Sequence, residues 1–285
     1  MLTVGVCAMS IWNAIILGLV QGLAEFLPIS SSGHLSVLNN LFSMTTAEDG
    51  HLFFDVLLHL GTLISICIVY WEDIVQMFLE VLAFVNLGPM AGERQARYPA
   101  ARLFFMICVA TLPLFLILPI NDLLETLYYN NVFIGIALIL TGCMLYVSDK
   151  MKEGRKTGGS MTILDALIIG ICQAVATIPG LSRSGTTITA GLATGLKRDF
   201  AVKFAFLMSL PAVFGANLLS LFDAFENGID WPSVPAYLIG TAVAMVSGIG
   251  AISLLKYIAG KGKFGGFAYY CWVVGVLSII LTMIF

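Results

Sequence analysis

Residues 11–33 recur without a gap 152 positions later as residues 163–185, and nine of the 23 aligned positions are identical. The shared residues are Ile11/Ile163, Ala14/Ala166, Ile16/Ile168, Gly18/Gly170, Gln21/Gln173, Ala24/Ala176, Ser30/Ser182, Ser32/Ser184 and Gly33/Gly185. A chain that carries one segment twice is constrained to build one supersecondary unit twice, and both copies break an apolar run with hydroxyls and a glycine. The copies differ where chemistry would differ: Glu25 stands opposite Thr177, Ser31 opposite Arg183 and His34 opposite Thr186. Two related halves, 1–149 and 160–285, are therefore expected to form one domain with one asymmetric site.

The environment follows from composition. The chain is 59% hydrophobic and 11% charged, with a mean hydropathy of +0.96, whereas soluble proteins carry about 25% charged residues. Apolar stretches near the ~20 residues needed to cross a bilayer fall at 53–70, 103–120, 132–147, 204–222, 237–255 and 267–285. No Lys or Arg precedes Arg94, so the start lacks the positive region of a cleavable signal peptide and is expected to be retained. No basic cluster interleaved with aromatics points to nucleic acid. Cys7, Cys67, Cys108, Cys143, Cys172 and Cys271 show no metal-site spacing and are expected to be small buried filler. The segment 150–159 has neither the spacing nor the preceding strand of a phosphate-binding P-loop and reads as a solvated loop between the halves.

Charge then orients the chain. Thirteen of the 14 Lys and Arg residues form four clusters, at 94–102, 150–156, 197–203 and 256–263, and the exception is Arg183. The connections 43–51, 121–131 and 223–233 carry acids but no Lys or Arg. The positive-inside rule places the clusters in the cytoplasm and the acidic loops outside. A single crossing by 163–196 would invert that pattern, so this stretch is expected to enter and leave on the cytoplasmic side, turning at 179–182. If the first copy also turns back, at 27–30, the two hairpins enter from opposite faces and both termini lie outside. The expected fold is an all-α integral membrane protein: an inverted-topology repeat with about six transmembrane helices and two re-entrant helix hairpins.

The breaks carry the chemistry. Gln21 and Glu25 lie one helical turn apart on one face. Pro28 limits further helix, and Ser30, Ser31, Ser32 and Gly33 supply hydroxyls and free amides at a helix start, which suits a phosphate. With His34 added, the parts suffice for nucleophilic or general acid/base chemistry. The serines also have a structural reading, as caps and helix-packing residues. In the second copy Ser182, Arg183, Ser184, Thr186 and Thr187 form a similar polar break. An arginine at membrane depth requires an anionic partner, either a phosphate held by its fork or a structural pair with Glu25. Asp55 and His59 share a helical face and read equally well as a satisfied pair or as a site.

At these residues the chain resembles the bacterial undecaprenyl pyrophosphate phosphatase family, also called the bacitracin-resistance family. One family signature is matched by Gln21, Glu25 and the run Pro28-Ile29-Ser30-Ser31-Ser32-Gly33-His34, and the other by Pro179-Gly180-Leu181-Ser182-Arg183-Ser184-Gly185-Thr186-Thr187. The 55–62 segment also resembles a family segment, and the likeness extends over essentially the whole length. The resemblance implies a membrane hydrolase that converts undecaprenyl pyrophosphate to undecaprenyl phosphate and inorganic phosphate, recycling the cell-wall carrier lipid. It implies a divalent cation, Mg or Ca, and a site open to the outer face of the cytoplasmic membrane. Carried onto this chain, Glu25, His34, Ser31 and Arg183 would be catalytic, with Ser31 or a water as nucleophile. Gln21, Ser30, Ser32, Ser182, Ser184 and Thr187 would bind substrate, and Glu25 with Gln21 would hold the metal. Gln21 departs from the Glu of many members and brings no charge, so metal binding would lean on Glu25 and the substrate phosphates. Undecaprenyl pyrophosphate and membrane lipid are the expected partners, without nucleic acid, and a homodimer stays open. A transporter or flippase of anionic prenyl phosphate lipids competes with the enzyme, because broken helices in inverted repeats are its architecture too.

Overall fold

The computed structural model describes residues 9–42, 52–85, 87 and 99–284. The expected outer loop 43–51, together with Cys7, Arg94 and Arg97, lies outside the described residues.

The chain forms α1 (Ile11–Phe26), α2 (Ser31–Phe42), α3 (Leu52–Val69), α4 (Trp71–Phe84), α5 (Pro99–Thr111), α6 (Asn121–Thr126), α7 (Asn131–Lys150), α8 (Ile163–Val175), α9 (Arg183–Ala193), α10 (Arg198–Asn227), α11 (Val234–Gly260) and α12 (Gly265–Ile284). Short 3-10 turns extend α5 to Ile120 and flank α6 and α11. Six segments are long and apolar enough to cross a membrane: Leu52–Val69, Pro99–Ile120, Asn131–Lys150, Arg198–Glu226, Trp231–Gly260 and Gly265–Ile284. Each expected apolar stretch falls on one of them, so the protein is a multi-pass α-helical membrane protein. The helices of the repeat are shorter, with 16 residues in α1, 12 in α2, 13 in α8 and 11 in α9.

Small residues set the packing. A Cβ on Gly18 of α1 would lie 2.3 Å from the Gly240 carbonyl oxygen of α11, and one on Gly170 of α8 would lie 2.3 Å from the Ala110 carbonyl oxygen of α5. The same repeat position thus brings each copy into backbone contact with a different long helix, which larger side chains would prevent. The other extensive pairings join α7 to α12, α3 to α11 and α3 to α10. The contacts of α1 with α11 and of α8 with α5 are the pairing expected of a repeated unit.

Helix α4 was not among the expected elements, because its 14 residues fall short of a span. Two ties hold it: Glu80 Oε2 accepts the Ala100 and Ala101 amides at 2.7 and 3.0 Å, capping α5, and Asp73 pairs with Lys203 of α10. The segment between the halves is solvated, as expected, but it is also anchored. Lys156 Nζ reaches both Asp165 carboxylate oxygens at 2.8 and 2.9 Å, and its backbone bonds Gly195 and Lys197. Asp165 completes a capping box with Thr162 at the start of α8, so the linker is pinned to the second copy. The cysteine expectation is corrected as well: of the five described, only Cys271 is buried, while Cys108 and Cys143 are exposed on the apolar exterior. An outward Cys costs little there, since the surrounding surface is itself apolar.

Candidate functional site

The two breaks touch. Helix α1 ends at Phe26, and Pro28, which has no N–H to donate, follows in a turn that closes with Ser30 at φ 72°. Positive φ is unusual for a residue with a side chain and costs on the order of 1 kcal/mol. It is held by its surroundings: Ser30 Oγ accepts the Gly33 amide at 3.2 Å, and the Ser30 carbonyl accepts from the His34 amide and ring. In the second copy Ser182 has an ordinary φ of −75° and caps α9 by accepting the Gly185 amide at 3.1 Å. The left-handed residue there is Gly180, at φ +87°.

Two hydrogen bonds cross between the breaks. The Gly180 amide donates to Ser32 Oγ at 3.4 Å, and Ser184 Oγ donates to the Leu27 carbonyl at 3.2 Å. The Ser182 amide donates to Thr141 Oγ1 of α7 at 3.1 Å, and a Cβ on Gly33 would approach Gly180 Cα to 3.2 Å. Protein groups thus satisfy part of the irregular backbone at this junction, as segments of this kind inside a membrane protein require.

Onto this junction the helices project the groups singled out in the sequence. Ser31 Oγ, at the start of α2, donates to Glu25 Oε2 at 2.6 Å. Gln21 Nε2 donates to the same oxygen at 3.2 Å. Glu25 Oε1 faces Arg183 Nη2 of the other half at 3.6 Å. That separation is an ion pair and not a bidentate fork, and the arginine side chain keeps 33% of its surface exposed. Among the described residues no acceptor takes a hydrogen bond from the guanidinium, so its donors remain available to an anion. Gln21 is fully buried, and its Oε1 has no hydrogen-bond partner.

His34 is close in sequence but turned elsewhere. Its Nδ1 lies 2.7 Å from the Ser30 carbonyl and therefore carries the proton, while Nε2 accepts from the Tyr270 hydroxyl of α12 at 2.8 Å. Glu25, and not His34, is the base in contact with Ser31. Thr187 Oγ1 is engaged with the Arg183 carbonyl at 2.8 Å, and Ser30 and Ser182 lend their hydroxyls to their own helix starts. His59 donates through Nδ1 to the Asp55 main-chain carbonyl at 2.9 Å, so the pair is joined through backbone and not through the carboxylate.

Tyr270 and Thr141 were not among the expected site residues. A hydroxyl inside the 132–147 apolar run was a weak signal for Thr141; nothing in the sequence marked Tyr270, which meets His34 only because α12 folds back across 236 positions.

Fold and site together define a class: a multi-pass α-helical membrane protein in which an acid and a hydroxyl from one broken helix meet a guanidinium from another. The chain belongs to the family described as Bacitracin resistance protein BacA, which matches residues 14–277. It is 40% identical over 278 residues to the undecaprenyl-diphosphatase of Halothermothrix orenii, covering 97% of this chain and all of that protein. Its identity to the undecaprenyl-diphosphatase of Methanosphaera stadtmanae is 38% over 281 residues, covering 97% of this chain and 99% of that protein. The enzyme of the same name from Carboxydothermus hydrogenoformans is 38% identical over 276 residues, covering 96% and 98%. Both motifs that carried the resemblance lie within the matched region.

Proposed function

We propose that this chain is an integral membrane hydrolase that removes the terminal phosphate of undecaprenyl diphosphate, releasing undecaprenyl phosphate. The substrate reading rests on relatives at 38–40% identity over nearly full length that bear the name of that activity. The observation that carries the chemistry is the 2.6 Å hydrogen bond from Ser31 Oγ to Glu25 Oε2.

The diphosphate enters the junction with its prenyl tail among the helices. Ser31 Oγ attacks the terminal phosphorus and gives its proton to Glu25, while the P–O bond to the prenyl phosphate breaks. Undecaprenyl phosphate departs with that proton from Glu25, and the carboxylate so restored deprotonates the water that hydrolyses the phosphoserine to inorganic phosphate. Arg183 approaches the equatorial oxygens, where charge gathers in the transition state. The Ser30–His34 and Tyr270–His34 hydrogen bonds fix the imidazole beside the start of α2, whose positive dipole end faces the phosphate. Gln21 orients Glu25 through its amide nitrogen and leaves its amide oxygen free. That orphaned oxygen and the Glu25 carboxylate are hard oxygen donors and fit a divalent cation such as Mg or Ca, completed by water and substrate phosphates. When bound, the cation supplies charge neutralisation on the diphosphate.

The two helix pairs read as re-entrant hairpins. At 1.5 Å per residue α1 would reach about 24 Å and α8 about 20 Å, short of a ~30 Å hydrocarbon core. Charge parity has them enter from opposite faces of a bacterial cytoplasmic membrane with both termini outside, and the family resemblance supports a site mouth on the outer face. The halves 1–149 and 160–285 are then an inverted repeat.

Purified protein in detergent has no compartments, so phosphate release there separates hydrolysis from transport. Wild type is expected to release phosphate from a prenyl diphosphate and to yield a phosphoserine at Ser31 on rapid quench. Full turnover by Ser31→Ala would remove the covalent route, and absence of release by active-folded wild type would remove the enzymatic reading.

A further inference from the structure

Helices α7 and α12 are drawn together by glycines. A Cβ on Gly135 would lie 2.7 Å from the Gly275 carbonyl oxygen, and one on Gly142 would lie 2.6 Å from the Trp272 ring. One turn further along, Tyr146 and Tyr269 flank Trp272 with ring centroids 5.5 Å away on each side. Beside these rings lies an open cavity of about 490 Å³ lined by Tyr146, Asp149, Lys150, Lys263, Tyr269, Gly262, Gly265 and Gly266. That volume lies within the ~300–1,000 Å³ typical of small-ligand sites.

We propose that this cavity binds the phosphate headgroup of an anionic phospholipid. Its electrostatics favour an anion. Asp149, the one acid in the lining, accepts the Phe264 and Gly265 amides at the start of α12 and faces Arg198 at 4.0 Å, so it is committed to the fold. Lys150 rests over the Tyr146 ring at 4.3 Å, and among the described residues neither Lys150 nor Lys263 is in an ion pair. The left-handed Gly262, at φ +69°, and Gly266, whose Cβ would meet nothing within 4 Å, keep the mouth open. The position selects lipid over a soluble anion. The cavity lies at the ends of two membrane-spanning helices, and its Tyr and Lys residues are types found at headgroup level.

The test uses the full chain in detergent, titrated with short-chain phosphatidylglycerol, phosphatidylcholine of the same chains, or inorganic phosphate. Phosphatidylglycerol is expected to bind in a salt-sensitive manner and at least tenfold more tightly than phosphatidylcholine. The double variant Lys150→Ala/Lys263→Ala should lose about tenfold to thirtyfold in that affinity, while Lys150→Arg/Lys263→Arg retains it. Both variants should keep wild-type hydrolysis in detergent, which shows that they fold. Equal affinity for the two lipids, or unchanged binding by the alanine variant, overturns the proposal. Displacement of phosphatidylglycerol by an equal concentration of inorganic phosphate also overturns it, because the site would then be one for a free anion.

Discussion

The two copies of the repeat share a backbone plan and diverge in side-chain use. Positions identical between them do structural work. Gly18 and Gly170 admit a neighbouring backbone, Ser30 and Ser182 accept the amide three residues on, and Ser32 and Ser184 bond across to the other break. Positions that differ hold the chemistry. Where the first copy has Glu25, the second has Thr177, whose hydroxyl turns back to the Ala174 carbonyl of its own helix at 2.7 Å. Where the first has Ser31, the second has Arg183. The shared Gln shows the consequence: Gln21 orients an acid, whereas both amide atoms of buried Gln173 lack a hydrogen-bond partner. Duplication supplied two equivalent frames, and only the pairing of unlike residues across them makes a site.

That asymmetry can be broken in order of expected effect. Ser31→Ala should lower turnover by at least about 10⁴-fold if the hydroxyl is the nucleophile, read as phosphate release in detergent; a loss under about tenfold would assign the attack to water. Glu25→Gln should cost about 10²–10⁴-fold, and Thr177→Glu in the same background should not restore it, because the second frame offers no hydroxyl at Arg183. Recovery by that double variant would mean that the two frames are interchangeable. Arg183→Ala should cost about 10²–10³-fold, with Arg183→Lys intermediate. The glutamines should then separate: Gln21→Glu raises divalent-cation affinity by roughly tenfold, seen as a shift in the chelator concentration that halves activity. Gln173→Glu should leave that midpoint alone and lower the unfolding midpoint, since an unpaired buried charge costs roughly 3–5 kcal/mol. The smallest contrast is in the turns. Gly180→Ala meets Ala137 Cβ at 2.8 Å and the Ile134 carbonyl oxygen at 2.9 Å with φ fixed at +87°, so a loss of about 2–3 kcal/mol is expected. Ser30→Gly should come out near neutral, because relief of positive φ offsets a lost cap of about 1 kcal/mol. Thermal unfolding in detergent measures both.

Much of this was legible in the chain. The spans could be read because crossing a bilayer demands long uncharged runs, and α3, α7, α10, α11 and α12 have them. The breaks were marked by Pro28, Gly180 and the serine runs, and Glu25 and Arg183 by being charges that apolar surroundings must explain. Other features were hidden for physical reasons. Helix α4 is too short and too mixed to announce itself, and the anchoring of the solvated linker was hidden because Asp165, the partner of Lys156, lies across a turn. Sequence left His34 and Glu25 open as the base, and only the packing of α12, which brings Tyr270 to the His34 ring, separates them.

By itself, the sequence determined that the chain lives among lipids, that it contains one unit twice, and which few polar groups apolar surroundings make conspicuous, because hydropathy, repetition and charge are properties of residues and their spacing. Tertiary structure alone decided that Glu25 stands between Ser31 and Arg183 while His34 turns to Tyr270. Those distances depend on where two broken helices, 152 residues apart, are held by the long helices packed around them.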